Sequence, residues 1–230
     1  MTMIKDLPAH EKPREKALRY GIRALSSREL LAIMLRSGQK GRSVLEIADS
    51  LLLEAKGISG IARMDINELA RIKGISETKA LEIQACFEIS RRCALEEALK
   101  SDVIEHPEAL VRWLRKELGS TLQEQFLVIY LDQHHHILYY RVLFVGTINA
   151  SNVYPREIFR EALLRNCTDI LLVHNHPSED PTPSRADLSL TQRLQEAGKM
   201  MGVRILDHLI VTRNRCLSLK ESGFLEEQME

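Results

Sequence analysis

The sequence predicts two parts in series: a small all-helical bundle over residues 1–100 and a mixed α/β domain over residues 101–230. Three observations carry this. The first hundred residues show helical periods broken by glycine turns and almost no strand pattern. From residue 125 onward, short β-rich runs alternate with amphipathic helical segments, with a hairpin among them, so the sheet is mixed and flanked by helices. Between the two, residues 98–106 read as a linker. A chain of 230 residues suits two domains of about a hundred residues each.

The elements follow in order. Ser26 precedes Arg28, Glu29 and the run LLAIML, which reads as an N-cap with an acid in the first turn. Ser37-Gly38-Gln39-Lys40-Gly41 is a break. Ser43 then caps VLEIADSLLLEA, which ends at Lys56-Gly57. Asp65 caps INELARI, Lys73-Gly74-Ile75-Ser76 turns the chain, and Glu77 opens a long helix to about residue 100. In the second part a helix is predicted over 107–118, strands over 125–132 and 137–146, and a polar turn at His134-His135-His136 between them. Three adjacent histidines at a hairpin tip cannot all face one ion, so the turn reading stands beside adventitious metal binding. Pro155 starts an amphipathic helix. DILLV at 169–173 is a buried strand, Ser184 caps a helix to about residue 200 with Asp187 in its first turn, and VRILDHLIVT and CLSL are the closing strands.

Composition narrows the functional classes. Net charge is zero, but residues 1–100 carry 18 Lys/Arg against 14 Asp/Glu and the remainder is acidic by the same margin of four. That asymmetry fits two parts with different partners, and it fits ordinary solvated charge equally well. Cys86, Cys93, Cys167 and Cys216 form no CxxC pair, so they read as scattered thiols of a reducing compartment. No apolar run approaches 18 residues and the first residues are polar. The expectation is a cytoplasmic chain without a membrane partner.

The chemistry gathers in HNHPSEDPTPSRAD, residues 174–187. His174 and His176 stand at i and i+2, so on an extended strand both imidazoles point to one side. Asp187, in the first turn of the next helix, can complete a His-His-Asp set. Three protein ligands leave a fourth tetrahedral position open, the form of a catalytic zinc site, and imidazoles suit zinc better than calcium or magnesium. One Zn²⁺ per chain is expected. A His-x-His pair alone is also compatible with a solvated strand end.

The stretch fits the His-x-His-Pro, six residues, Ser-x-x-Asp pattern of the JAMM, or MPN+, metallohydrolases. With Asn175 between the histidines it resembles the bacterial RadC family. The resemblance covers nearly the whole chain: PREKALRYGIRALSSRELLAIMLRSGQKGRSVLEIADSLL, GTINASNVYPREIFREALLRN and VRILDHLIVT are each similar to the corresponding family segment. It implies a JAMM/MPN-like domain in which His174, His176 and Asp187 bind zinc. Ser184 would hydrogen-bond the oxyanion of a tetrahedral intermediate. An upstream glutamate near a strand start would hold and deprotonate the water; Glu124 fits, with Glu157 and Glu161 as rivals on a predicted helix. The implied activity is peptide or isopeptide hydrolysis, with a peptide or protein substrate. The family has traditionally been linked to DNA repair. Asp207-His208 lies in the last long strand, and one of the two would face the metal or its surroundings unless the pair packs elsewhere.

Residues 68–80 resemble a helix-hairpin-helix, in which Gly74, Ser76 and Lys79 would meet a DNA phosphate through backbone N–H groups and an ammonium. Such contact is non-specific and salt-sensitive. Packing within the bundle explains the same residues. The alternative function is therefore a non-catalytic, DNA-associated protein acting through the helical part. Metal-dependent phosphodiester cleavage is a third reading, but it often uses two metals about 4 Å apart, and one ligand set is visible.

Overall fold

The computed structural model describes residues 8–146 and 153–225. The part of GTINASNVYPREIFREALLRN over 147–152 lies outside the described residues. The chain divides into two compact units, Met1–Ser90 and Arg91–Glu230. The division falls inside one long helix rather than at the linker expected around residues 98–106.

The first unit holds α1 (Pro13–Tyr20), α2 (Ser27–Leu35), α3 (Val44–Glu54), α4 (Ile58–Ile61), α5 (Ile66–Arg71) and the start of α6 (Glu77–Lys100). Three helix starts are capping boxes. Ser26, Ser43 and Asp65 each accept the N–H of an acid three residues on, and Glu29, Glu46 and Glu68 each return a bond to the cap's own N–H. Each box fixes where its helix begins, so the apolar stripes meet in register. Leu31, Leu35, Ile47, Leu51, Ile61, Leu69 and Ile83 form the core.

The second unit contains the end of α6, then α7 (Pro107–Glu117), β1 (Gln125–Leu131), β2 (Ile137–Val145), α8 (Pro155–Leu164), β3 (Asp169–Asn175), α9 (Arg185–Met201), β4 (Arg204–Val211) and β5 (Cys216–Ser218). The sheet order is β2-β1-β3-β4-β5. β1 is antiparallel to β2 and β3, β3 and β4 are parallel, and β5 returns antiparallel to β4. The predicted mixed sheet with flanking helices is what forms. The parallel pair needs a crossover, which α9 supplies. The β1–β2 turn is tied by Asp132, whose carboxylate accepts the N–H groups of His134 and His136 at 2.8 and 2.9 Å.

Period-two alternation sorts the strands onto two cores. Leu127, Ile129, Leu131, Leu171 and Val173 pack with Trp113, Leu114 and the α6 residues Ala94 and Ala98. Phe126, Val128, Tyr130, Ile170 and Leu172 pack with Ile158, Phe159, Leu190 and Leu194 from α8 and α9. His174 shares the parity of Ile170 and Leu172, so it faces the α8–α9 side. Asn175 faces the other.

β4 breaks the alternation once. Ile205 pairs with Ile170, but Leu171 pairs with Asp207, so Leu206 is a bulge. The bulge exchanges the faces of all that follows. Without it His208 would project to the α7 side. With it His208 pairs across Leu172 and lies on the face of His174.

Candidate metal centre

Three elements converge at one end of the sheet. β3 carries His174 at its last turn of the ladder, and the N–H of His176 still donates to the Val211 carbonyl at 3.0 Å, so the strand geometry persists through both histidines. α9 brings Asp187 in its first turn. There Ser184 is the N-cap: its Oγ accepts the Asp187 N–H at 3.2 Å, and the Asp187 carboxylate accepts the Ser184 N–H at 2.7 Å. This capping box fixes the carboxylate against the helix start and leaves its remaining lone pairs toward the histidines.

Among the described residues, His174, His176 and Asp187 form the one cluster able to hold a metal ion, with a donor atom from each lying within 4.8 Å of the others. The two Nε2 atoms are 2.9 Å apart, and Asp187 oxygens stand 3.4 Å from His174 Nε2 and 3.7 Å from His176 Nε2. The first Asp187 distance is to Oδ1 and the second to Oδ2, and a tetrahedral ion with bonds of about 2.05 Å needs ligand atoms roughly 3.3 Å apart, so the groups stand at separations near that spacing. The His176 Nδ1 faces the Asp180 carbonyl at 2.7 Å. A carbonyl only accepts, so Nδ1 carries the hydrogen and Nε2 is the ligating nitrogen. The residues present fit a metal ion.

The electrostatics agree. His174 and Asp187 are 0% and 3% exposed, too buried for a charge to stand alone. Burial works against the Asp187 carboxylate, but the imidazoles of His174 and His176 beside it outweigh this and hold its pKa well below the usual range. The Asp187 carboxylate beside it raises the His176 pKa, burial opposes this, and the Glu124 carboxylate adds a smaller upward push. Burial, with His174 beside it, drives His208 well below the ordinary imidazole value, so His208 is neutral.

Glu124 sits immediately before β1, partly buried, and its carbonyl accepts the Gly146 N–H at 2.8 Å where β2 ends. Asn175 explains how this segment is held. Its Oδ1 accepts the Gln125 N–H at 2.8 Å, and its Nδ2 donates to Thr121 Oγ1 at 2.8 Å and the Gln123 carbonyl at 3.2 Å. The residue between the histidines thus ties the Glu124 segment to the ligand strand from the opposite face. Sequence spacing marks Asn175 as facing away from the ion, but its partners are fifty residues distant and leave no local signal. The rivals Glu157 and Glu161 lie on α8.

His208 does face the centre: its Nε2 lies 2.8 Å from His174 Nδ1 and its Nδ1 lies 2.6 Å from Thr191 Oγ1. Asp207 points away and accepts from the Ser218 hydroxyl and the Lys220 N–H.

The predicted hairpin residues lie in the first unit, between α5 and α6. Gly74 has φ +103°, and a Cβ there would stand 2.5 Å from Ile47 Cδ1. Ser76 Oγ accepts the Lys79 N–H at 3.3 Å. The Lys79 ammonium donates to the Ser37 and Gly74 carbonyls at 2.7 and 3.3 Å. Each therefore has a packing or capping task within the bundle.

Among the described residues no helix is long and apolar enough to cross a membrane. The family described as RadC-like JAB domain matches residues 104–224, and that described as UPF0758 N-terminal matches residues 4–81. A UPF0758 protein of Desulfitobacterium hafniense is 44% identical over 222 residues, covering 96% of this chain and 98% of its own. One from Geobacillus kaustophilus is 41% identical over 223 residues, covering 97% and 99%, and one from Halalkalibacterium halodurans is 41% identical over 222 residues, covering 96% of each.

Proposed function

Because the chain belongs to the RadC-like JAB domain family, we propose that it is a zinc-dependent hydrolase of the JAMM type acting on peptide or isopeptide bonds. The observation that carries this reading is the His174–His176–Asp187 cluster, with His174 and Asp187 buried and His176 partly so, and the Glu124 segment tied beside it. His174, His176 and Asp187 would hold the zinc, one per chain. When bound, zinc supplies a Lewis acid and water acidified toward a pKa of about 7.

The chain's own residues supply the rest. Glu124 takes a proton from the attacking water as its oxygen bonds to the amide carbon, and delivers that proton to the nitrogen as the carbon–nitrogen bond breaks. Its tether through Asn175 keeps it in place between the two transfers. Ser184 accepts the Asp187 N–H through its oxygen, which leaves its own hydrogen to donate where negative charge grows on the carbonyl oxygen. A single donor so placed is worth roughly 3 kcal/mol of transition-state stabilisation.

The test is metal content by elemental analysis, on protein purified without chelator or affinity histidines, combined with cleavage of a peptide library read by mass spectrometry. Wild type is expected to hold about one zinc per chain and to cleave a subset of peptides. His176→Ala loses the zinc. Glu124→Gln keeps the zinc and loses cleavage. Absence of zinc from wild type, or undiminished cleavage by Glu124→Gln, would overturn the assignment.

A further inference from the structure

We infer that Thr191 and His208 are positioning residues: they form a hydrogen-bond relay that fixes the ring tautomer of His174, so that its Nε2 lone pair is presented to the metal. This deepens the reading of the cluster as a zinc site and rests on it.

The relay starts from a group with no choice. The backbone carbonyl of Asp187 only accepts, and Thr191 Oγ1 lies 2.6 Å from it, one helical turn along α9. The single hydroxyl hydrogen of Thr191 is spent there, since otherwise two oxygens would meet lone pair to lone pair. Thr191 Oγ1 must therefore accept from the next group, His208 Nδ1 at 2.6 Å. His208 is wholly buried and its two ring nitrogens face His174 and the Thr191 hydroxyl rather than a carboxylate, so it carries one ring hydrogen, at Nδ1. Its Nε2 then accepts, and the donor is His174 Nδ1–H at 2.8 Å. The one nitrogen of His174 left bare is Nε2, which faces His176 and Asp187.

Two independent branches reach the same locus. Asp180 fixes His176 with Nε2 bare, and the Thr191–His208 relay does so for His174. Two bare nitrogens 2.9 Å apart repel, and a cation between them converts that repulsion into shared ligation. The relay also couples the ligands, because its origin is the backbone of Asp187 and its end is the ring of His174. Two features of the fold assemble it: the i, i+4 spacing that sets Asp187 and Thr191 on one face of α9, and the β4 bulge that turns His208 inward.

The test uses the full chain with Thr191→Val, which removes the hydroxyl at nearly constant shape, and Thr191→Ser, which keeps it. Zinc affinity is measured by competition with a chromophoric chelator. Loss of an orienting partner typically costs 10–100-fold in metal affinity, so Thr191→Val should bind about 10–100-fold more weakly and Thr191→Ser within about threefold of wild type. In parallel, ring ¹⁵N spectra of metal-free protein are expected to show His174 and His208 protonated at Nδ1 in wild type. In Thr191→Val the Nδ1 preference of His208 is lost. Wild-type affinity in Thr191→Val, or an Nε2–H tautomer of His174 or His208 in wild type, overturns the relay. Failure of wild type to bind zinc instead overturns the hydrolase reading, and the metal-free spectra still decide the relay.

Discussion

Replacing Asn175 by alanine removes three hydrogen bonds at a side chain that is 1% exposed. The losses are unequal. The Leu118 carbonyl accepts the Thr121 N–H, so the one hydrogen of Thr121 Oγ1 can serve the Gln123 carbonyl once Asn175 is gone. The Gln125 N–H depends on Asn175 Oδ1 and lies partly buried at the start of β1. Leaving such a donor unpaired costs about 1–3 kcal/mol, and the net loss from the other bonds adds about 1 kcal/mol. A total of about 2–4 kcal/mol should lower the melting temperature by roughly 5–15 °C in a protein of this size. The single tryptophan, Trp113, is fully buried in the core of the second unit, so its fluorescence during urea unfolding reports on the unit that contains Asn175. Zinc content should be unchanged, because Asn175 faces away from the ligands. Asn175→Asp should also destabilise at neutral pH, since a carboxylate oxygen would replace the donor facing the Gln123 carbonyl. A change in Asn175→Ala smaller than about 0.5 kcal/mol, the spread of ordinary surface substitutions, would refute the clamp.

Three further outcomes are expected. Ser184→Ala should cost about 1 kcal/mol by the same fluorescence assay through loss of the α9 N-cap, besides its effect on cleavage. Gly74→Ala should destabilise the first unit by about 1–3 kcal/mol, because the new Cβ meets Ile47 at a positive φ; circular dichroism of the helical signal would read it, and a stability equal to wild type would remove the packing role. Burial raises the Asp207 pKa above 3.8 despite hydrogen bonds from Ser218, Lys220 and His208. Its contribution to stability is therefore fully present below about pH 3.8 and is lost as pH rises through the raised value. Asp207→Asn should accordingly gain on wild type in urea midpoint between about pH 4 and pH 7, and a constant gap across that range would count against it.

What could be read from the sequence was local. Ser26, Ser43, Asp65 and Ser184 announce their helices because a cap and its acid lie three residues apart. His174 and His176 announce a shared face because a strand has period two. The parts that escaped depend on partners far along the chain. The β4 bulge has no residue signature, and simple alternation from Ile205 would have sent His208 to the wrong side. Thr191 reads as an ordinary helix residue until His208 is placed beside it. The division at Ser90 was invisible because α6 is continuous there: Ala80 and Ile83 serve one core, Ala94 and Ala98 the other, and nothing in the helix marks the change. The bond from Lys79 to the Ser37 carbonyl left no local signal because the two lie forty-two residues apart.

The direction of β1 is what sets Glu124 beside the His174 end of β3. β3 and β4 run parallel, so both end near the start of the metal centre, and α9 begins beside them. Had β1 been added parallel to β3, its far end, Leu131, would meet His174, and Glu124 would lie some seven residues away, roughly 23 Å at strand rise. β1 instead runs antiparallel, with Phe126 paired to His174, so the strand begins where β3 ends. A hairpin is the shortest way to supply such a strand, and β2 follows β1 through the Asp132 turn. The hairpin that makes the sheet mixed rather than doubly wound therefore has a consequence for placement. It delivers a glutamate to the carboxyl end of the parallel pair, where Asn175 fastens it.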